Sequence, residues 1–531
     1  MNQHSGHTLT QRAGRAVGFR LGGNLSSSLF GLVLGVILAR LLPPHEFGLF
    51  GVGLSIVIVA DILSAAGMFQ ALLQRKDLTP VDEATGFFLQ LGGAVLMGGA
   101  LVALGPSVER FFSMPGLGIL VQFQALALLL RTLGLIPGTR LQRKLAFDRL
   151  AFAEVASRFF GGAIGVIFAL QGQGALALTA GSLTTAAVKT GISWAFASGK
   201  IPLTFSVQSA RNLLGFGTGM LFIRVCNDFA HRVDVFVIGR QLGPAVVGLY
   251  QRAYQLMTIP LYQFTNTINQ VLFPAMALVQ QDNEKFRRGY LGSVALSGMV
   301  AFPMLTLLWV AGDILIPFLY GPKWGGTVPV LTVLSFVGYL RVINNPNGLV
   351  TQSRAYVMAE AWRQALFTVV TGVAVFVGSY WGLVGAAFGI VAAAIVYLAV
   401  MTSLALRIAD LSFREWLLSL RTVVLSTAVM SVAGISVKWA FARYLSPFPA
   451  LVIITAASLA AYLVALRFLL SPDERQIVKS VASALPGKTA WLVEFIIRSE
   501  PEREPTAPEE EAERPAATGT SRTTTRKMIS R

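Results

Sequence analysis

Arg40-Leu-Leu-Pro-Pro-His-Glu-Phe-Gly-Leu-Phe50 returns later in the chain as Arg240-Gln-Leu-Gly-Pro-Ala-Val-Val-Gly-Leu-Tyr250. Arg, Leu, Pro, Gly and Leu recur in register, and Phe50 is answered by Tyr250. Each copy follows one long apolar run and opens another. The natural reading is a hairpin of membrane helices used twice, the sequence mark of a transporter built from two related halves.

Composition supports that reading. Hydrophobic residues make up 54% of the chain and charged residues 13%, too little polar surface for a soluble protein of this length. Apolar stretches of about 20 residues, enough to cross ~30 Å of hydrocarbon, recur near 17–38, 48–72, 84–104, 116–137, 150–170 and 174–195. A second set lies near 213–238, 247–273, 291–317, 327–349, 359–379 and 383–406, with two more near 416–439 and 447–470. These predict an all-α polytopic membrane protein of about 14 helices, because lipid offers the backbone no partners and the runs are too long for barrel strands. Six spans per half bring the second half in from the same face as the first, so the repeats should be parallel. A weaker echo, Gly172-Gln-Gly174-Ala-Leu176 and Gly382-Leu-Val-Gly385-Ala-Ala387, precedes the last span of each half.

The expected division is a cytoplasmic N-terminal segment (1–16), two six-helix lobes (17–200 and 201–410) and two added helices (411–470). An interfacial segment (471–499) and a disordered Glu/Pro- then Thr/Ser-rich cytoplasmic tail (500–531) follow. The net charge of +17 reflects topology and not nucleic acid. Alternate loops, from Arg75 and Lys76 through Arg140–Arg149 to Arg407–Arg421, collect the cations, while the intervening loops hold few. The positive-inside rule therefore puts both termini in the cytoplasm. The first span should serve as the insertion signal, without a cleavable leader. The single Cys226 excludes an intrachain disulfide and a cysteine-built metal cluster. No phosphate loop, nucleophile elbow or metal motif is visible, so no cofactor and no enzymatic reaction are expected.

An ionisable side chain at mid-membrane costs roughly 2.5–3.5 kcal/mol on insertion scales and marks a functional candidate. In the seventh span Arg224, Asn227, Asp228, His231 and Asp234 fall at steps of three and four, predicting one shared helical face. The bland alternative is mutual neutralisation, Arg224 with Asp228 and Asp228 with Arg232. Arg20 and Asn24 form the related stripe of the first span; Arg341 and Asn345, with Asn344 and Asn347, mark the tenth; Gln263 and Asn266 belong to a polar face of the eighth. Arginine suits phosphate oxygens, while amides suit sugar hydroxyls or bonds between helices. Asp61 and Asp234 are candidates for coupling to H+ or Na+, and Arg131, Arg158 and Lys189 are lesser cationic candidates, Glu154 being placed to pair with Arg158. Arg40 and Arg240 read as structural, each closing a helix.

At four places the chain resembles the polysaccharide-transporter branch of the multidrug/oligosaccharidyl-lipid/polysaccharide exporter superfamily, which includes the Wzx-type flippases. They are Leu38–Gly48, Asp61 through Gly67 to Arg75, Arg140-Leu-Gln-Arg-Lys-Leu-Ala-Phe147 and Asp234–Gly243. The resemblance spans roughly residues 15–470, and the doubled turn is its most specific part. It implies alternating access and, as substrate, a polyprenyl-diphosphate-linked oligosaccharide moved from the cytoplasmic to the outer leaflet for surface polysaccharide. It also implies the bacterial cytoplasmic membrane, surrounding lipids, and contact with polymerase and export machinery. A peptidoglycan lipid precursor flippase and an ion-coupled multidrug exporter are the rival readings.

Overall fold

The computed structural model describes residues 30–475 apart from 66, 76–77, 198, 200–203, 262–275, 277–278 and 473; for 70, 74, 216–220, 222–224, 226–227 and 260 it describes the backbone only. The described residues form α-helices and short turns, without a strand. In chain order these are α1 (Phe30–Leu41), α2 (Pro44–Ala65), α3 (Met68–Gln74), α4 (Pro80–Phe112), α5 (Leu117–Leu133), α6 (Leu135–Arg143), α7 (Phe147–Leu170), α8 (Ala175–Phe196) and α9 (Val207–Ala230). They continue as α10 (Val233–Leu242), α11 (Pro244–Pro260), α12 (Asn283–Tyr320), α13 (Thr327–Ser353), α14 (Val357–Ser379), α15 (Gly382–Ala409), α16 (Phe413–Ser419), α17 (Arg421–Phe441) and α18 (Pro447–Leu469).

Ten stretches among the described residues are long and apolar enough to cross a membrane, and the chain is a multi-pass membrane protein. The other four expected spans fall on α1, on α8 with its threonines and Lys189, on the broken α9–α10 pair and on α11. Several expected single spans divide. Gly67, in the left-handed region at φ 71°, separates α2 from α3, and Gly134 separates α5 from α6.

The seventh span corrects a sequence expectation. α9 stops at Ala230, Arg232 takes φ −134° and ψ −15°, and α10 starts at Val233. The stripe from Arg224 to Asp234 therefore does not continue as one face. Asp234 belongs to the new helix start, where its Oδ1 accepts the Val235 N–H at 2.7 Å. A carboxylate is favoured at that N-terminus.

The doubled turn explains its own glycines. α2 packs along α11, and a methyl built on Gly48 would fall into the Pro244 carbonyl, while one on Gly248 would fall into the Pro44 carbonyl. The two copies thus lie on each other reciprocally, and glycine is needed because backbone meets backbone. Glu46 adds a cap: its Oε2 accepts the Ala175 N–H at 2.7 Å, at the N-terminus of α8.

The repetition runs further than the sequence reading saw. Leu145 (φ 54°) before α7 and Ala355 (φ 62°) before α14 are both left-handed, and so are Gly172 and Gly382. The same spacing separates Leu130-Arg131, Gly138 and Gln142 from Leu340-Arg341, Gly348 and Gln352. α7 packs on α8 as α14 packs on α15. The main core draws on both copies, from Val52, Val57 and Val121 to Tyr250, Trp324 and Val337. α17 and α18 pack on each other and against α12.

Family-motif cations at the Arg140–Phe147 stretch are structural. Arg140 bonds Glu83 at 2.6 Å, and Arg143 Nη1 donates to the Leu72, Leu73 and Arg75 carbonyls at the end of α3.

Candidate functional site

α13 carries Arg341, Asn344, Asn345, Gly348 and Gln352 at steps of three and four, so they share one face. That face lines a cavity of about 280 Å³ closed by His231 at the end of α9, Thr258 on α11, Glu360, Gln364 and Phe367 on α14, and Tyr397 on α15. It lies among helices of the second copy. At one end Arg341 Nη1 donates to the Tyr254 hydroxyl at 2.6 Å, with its guanidinium 5.1 Å from the centre of that ring. The Tyr254 ring sits 5.8 Å from Tyr250, whose hydroxyl donates to the buried Asp234 carboxylate. Two tyrosines therefore connect Arg341 to Asp234. His231 presents a buried Nδ1 with no hydrogen-bond partner among the described residues.

The other end is acidic and amidic. Thr351 Oγ1 donates to Glu360 Oε2 at 2.7 Å, and Gln352 Nε2 donates to Glu360 Oε1 at 3.3 Å. The Tyr397 hydroxyl donates to Gln364, and the Tyr397 ring stacks on Phe367 at 4.4 Å. A fixed guanidinium offers a planar fork to phosphate oxygens. Carboxylate and amide groups accept and donate to hydroxyls.

Among the sequence candidates, His231, Arg341 and Asn345 come together at this cavity. Asp234 lies behind it, joined through the tyrosines. Asp228 stands on α9 outside the lining. Asp61 is in the other copy, with Arg131 Nε at 3.8 Å. Glu154 binds Arg158 at 2.8 Å and Lys189 at 2.7 Å, the first of these pairs as expected. Asn347 is buried and structural, accepting from the Tyr290 hydroxyl at 2.5 Å and donating to Asn344 and Thr402. Arg20, Asn24, Gln263 and Asn266 lie outside the described residues, as do the side chains of Arg224 and Asn227, the stretch 476–531 and the segment 1–16.

Sequence reasoning missed Gln352, Glu360, Gln364, Tyr254 and Tyr397. The signal that could have found them was the recurrence of Leu130-Arg131 as Leu340-Arg341, which points to one cationic position per copy and to the helices around it. It also missed Arg252, buried on α11 with its guanidinium 4.0 Å from the Phe47 ring centre.

Residues 37–329 match the family described as polysaccharide biosynthesis protein. The chain belongs to that family. It is 30% identical over 330 residues to the lipopolysaccharide biosynthesis protein WzxC of Escherichia coli (strain K12), covering 62% of this chain and 67% of WzxC. It is 28% identical over 386 residues to the teichuronic acid biosynthesis protein TuaB of Bacillus subtilis (strain 168), covering 72% of this chain and 80% of TuaB. The resemblance seen at the doubled turn is therefore borne out. Among solved structures, the inward closed conformation of the lipid II flippase MurJ gives a TM-score of 0.69 at 14% identity, over 84% of this chain and 97% of that one. At that identity the likeness shows a shared fold. An inward-facing multidrug transporter of the MATE family follows at a TM-score of 0.56, also at 14% identity, over 73% of this chain and 96% of that one.

Proposed function

We propose that the protein moves a polyprenyl-diphosphate-linked oligosaccharide from the cytoplasmic to the outer leaflet of the bacterial cytoplasmic membrane, by alternating access and without covalent chemistry. The carrying observation is a cavity inside a membrane protein of a polysaccharide biosynthesis family that joins Arg341 to amides and the Glu360 carboxylate. A diphosphate loses its water on entering low dielectric, and a guanidinium fork compensates with charge-assisted hydrogen bonds. A cavity with this many amide, hydroxyl and charged groups suits a glycan better than a drug. The names of WzxC and TuaB support the same substrate class.

In this reading residues 17–200 and 201–410 are two six-helix lobes, 411–470 an added pair, and both termini face the cytoplasm. Arg341, Asn345 and His231 contact substrate, together with Arg20, Asn24, Arg224, Asp228, Gln263 and Asn266. Asp61 or Asp234 carries the coupling proton or sodium ion. Surrounding lipids and the polymerase and export machinery are its partners.

The test is deletion of the gene followed by analysis of lipid extracts. A lipid-linked glycan should accumulate in the cytoplasmic leaflet, and the intact gene should clear it. Normal surface polysaccharide with no accumulated intermediate would refute the reading.

A further inference from the structure

One end of the molecule carries a cluster of contacts that cross between the two copies. Arg40, ending α1, donates Nε to the Leu319 carbonyl at 2.9 Å and Nη2 to the Phe318 carbonyl at 2.5 Å, at the last turn of α12. Lys323 Nζ donates back to the Arg40 carbonyl at 2.7 Å, and the Trp324 indole N–H donates to the Ala39 carbonyl at 2.8 Å. Arg252 on α11 lies over Phe47 of α2 at 4.0 Å, with the Tyr320 and Trp324 rings at 5.7 and 5.8 Å. Beside them sit the reciprocal contacts of Gly48 with Pro244 and Gly248 with Pro44. The repeated turn is thus an interface between copies.

We propose that Arg40, Arg252, Lys323 and Trp324 form a latch that keeps the turn-bearing face shut, and that each transport cycle releases it. The chemistry suits a contact that must open. Charged donors on helix-end carbonyls exchange their partners for water with small net change. Arg252 has a neutral amide partner, Gln255 at 2.7 Å, and no ion pair is formed by it among the described residues. Separating the rings exposes their apolar faces, and hydration of the Arg252 guanidinium offsets part of that cost. Arg40 and Arg252 act by positioning the two copies, away from the Arg341 cavity.

The inference rests on transport by alternating access, and its test separates the two. In a Cys226→Ala background, Arg40→Cys and Lys323→Cys are joined by a short reducible bifunctional thiol reagent in cells lacking the native gene. Cross-linking should reduce surface polysaccharide roughly tenfold or more, and reduction should restore it. Full export by the cross-linked protein would overturn the latch. A second arm needs no cargo. Ala39→Cys, buried under Trp324, is labelled with a maleimide in membranes, with Arg252→Gln, Arg252→Lys or Trp324→Phe added. Arg252→Gln should speed labelling about threefold or more, and Arg252→Lys less, because the cation survives. Unchanged labelling in every variant would also overturn it. Expected labelling alongside intact glycan export in a strain lacking the gene would sink the cargo reading alone.

Discussion

The two copies of the repeat place an arginine at the same position and surround it differently. In the first, Arg131 lies beside Asp61, and Glu154 pairs with both Arg158 and Lys189. In the second, Arg341 bonds a tyrosine hydroxyl, and Glu154's counterpart by the same spacing is Gln364, which lines the cavity. Tyr250 and Tyr254, which lead from Arg341 to Asp234, stand where the first copy has Phe50 and Leu54. Duplication kept the backbone, down to the left-handed Leu145 and Ala355. The side chains then separated: the first copy sets its cations beside acids in ion pairs, and the second leaves a guanidinium, amides and a carboxylate facing open space.

The largest expected effect tests that separation at its centre. Arg341→Gln should cut surface polysaccharide at least roughly tenfold at near-normal membrane abundance, and Arg341→Lys should keep a fraction, since charge survives without the fork. Arg131→Gln should cost much less, and Asp61→Asn added to it should recover part of the loss by removing the acid that faces this position. Equal losses for the two arginines, without recovery, would mean that both copies handle substrate and would break the comparison.

Much of this was legible in the sequence, for a physical reason. Lipid forces backbone bonds inside each segment, so length and hydropathy give the helices, and a repeated turn reveals the duplication. Polar residues several turns inside apolar spans gave Arg341, Asn345 and His231. The break at His231–Arg232 was hidden because no glycine or proline marks it; the structure shows it in the backbone of Arg232 and in Asp234 accepting the Val235 N–H in the first turn of α10. Glu360 and Gln364 fall in the first turns of α14 and read as ordinary interfacial residues until α13 is packed beside them. Arg252 was overlooked because its partners, Phe47 on one side and Tyr320 and Trp324 on the other, come from two distant stretches.

Where the copies agree, substitution should act on stability. Gly48→Ala and Gly248→Ala each drive a methyl into a backbone carbonyl that cannot move alone, and should cost about 1–3 kcal/mol or more. Gly92→Ala, with open space at its Cβ, should be neutral or slightly stabilising. Thermal melting of detergent-purified protein reads all three. Tolerance at Gly48 but not at Gly248 would show the turn to be less reciprocal than the backbone contact indicates.

The hydroxyl path gives a smaller effect. Tyr250→Phe installs the first copy's residue and leaves the Asp234 carboxylate short of a donor in a buried site. It should destabilise the protein by about 1–3 kcal/mol. Asp234→Asn in the same background should recover part of that, because an amide carries no charge to desolvate. Melting temperatures across the four-member cycle measure the coupling. Additive changes would show that Tyr250 and Asp234 act independently.

The smallest effect is expected from giving the first copy the residue that the second already has. Glu154→Gln removes the acid shared by Arg158 and Lys189, whose side chains are 41% and 52% exposed. Partly solvated pairs are weak, so the cost should be about 0.5–1 kcal/mol. Export should stay near the native level, because the freed cations can take up water. Removing Arg158 as well, with Arg158→Gln, should cancel part of the cost, and a double-mutant cycle on melting temperature gives the pairwise share. Added salt should shrink that share, since exposed ions are screened. The decisive readout is export. If Glu154→Gln silences it as thoroughly as Arg341→Gln, the triad does more than balance charge, and the first copy would then contain a working site that its ion pairs conceal.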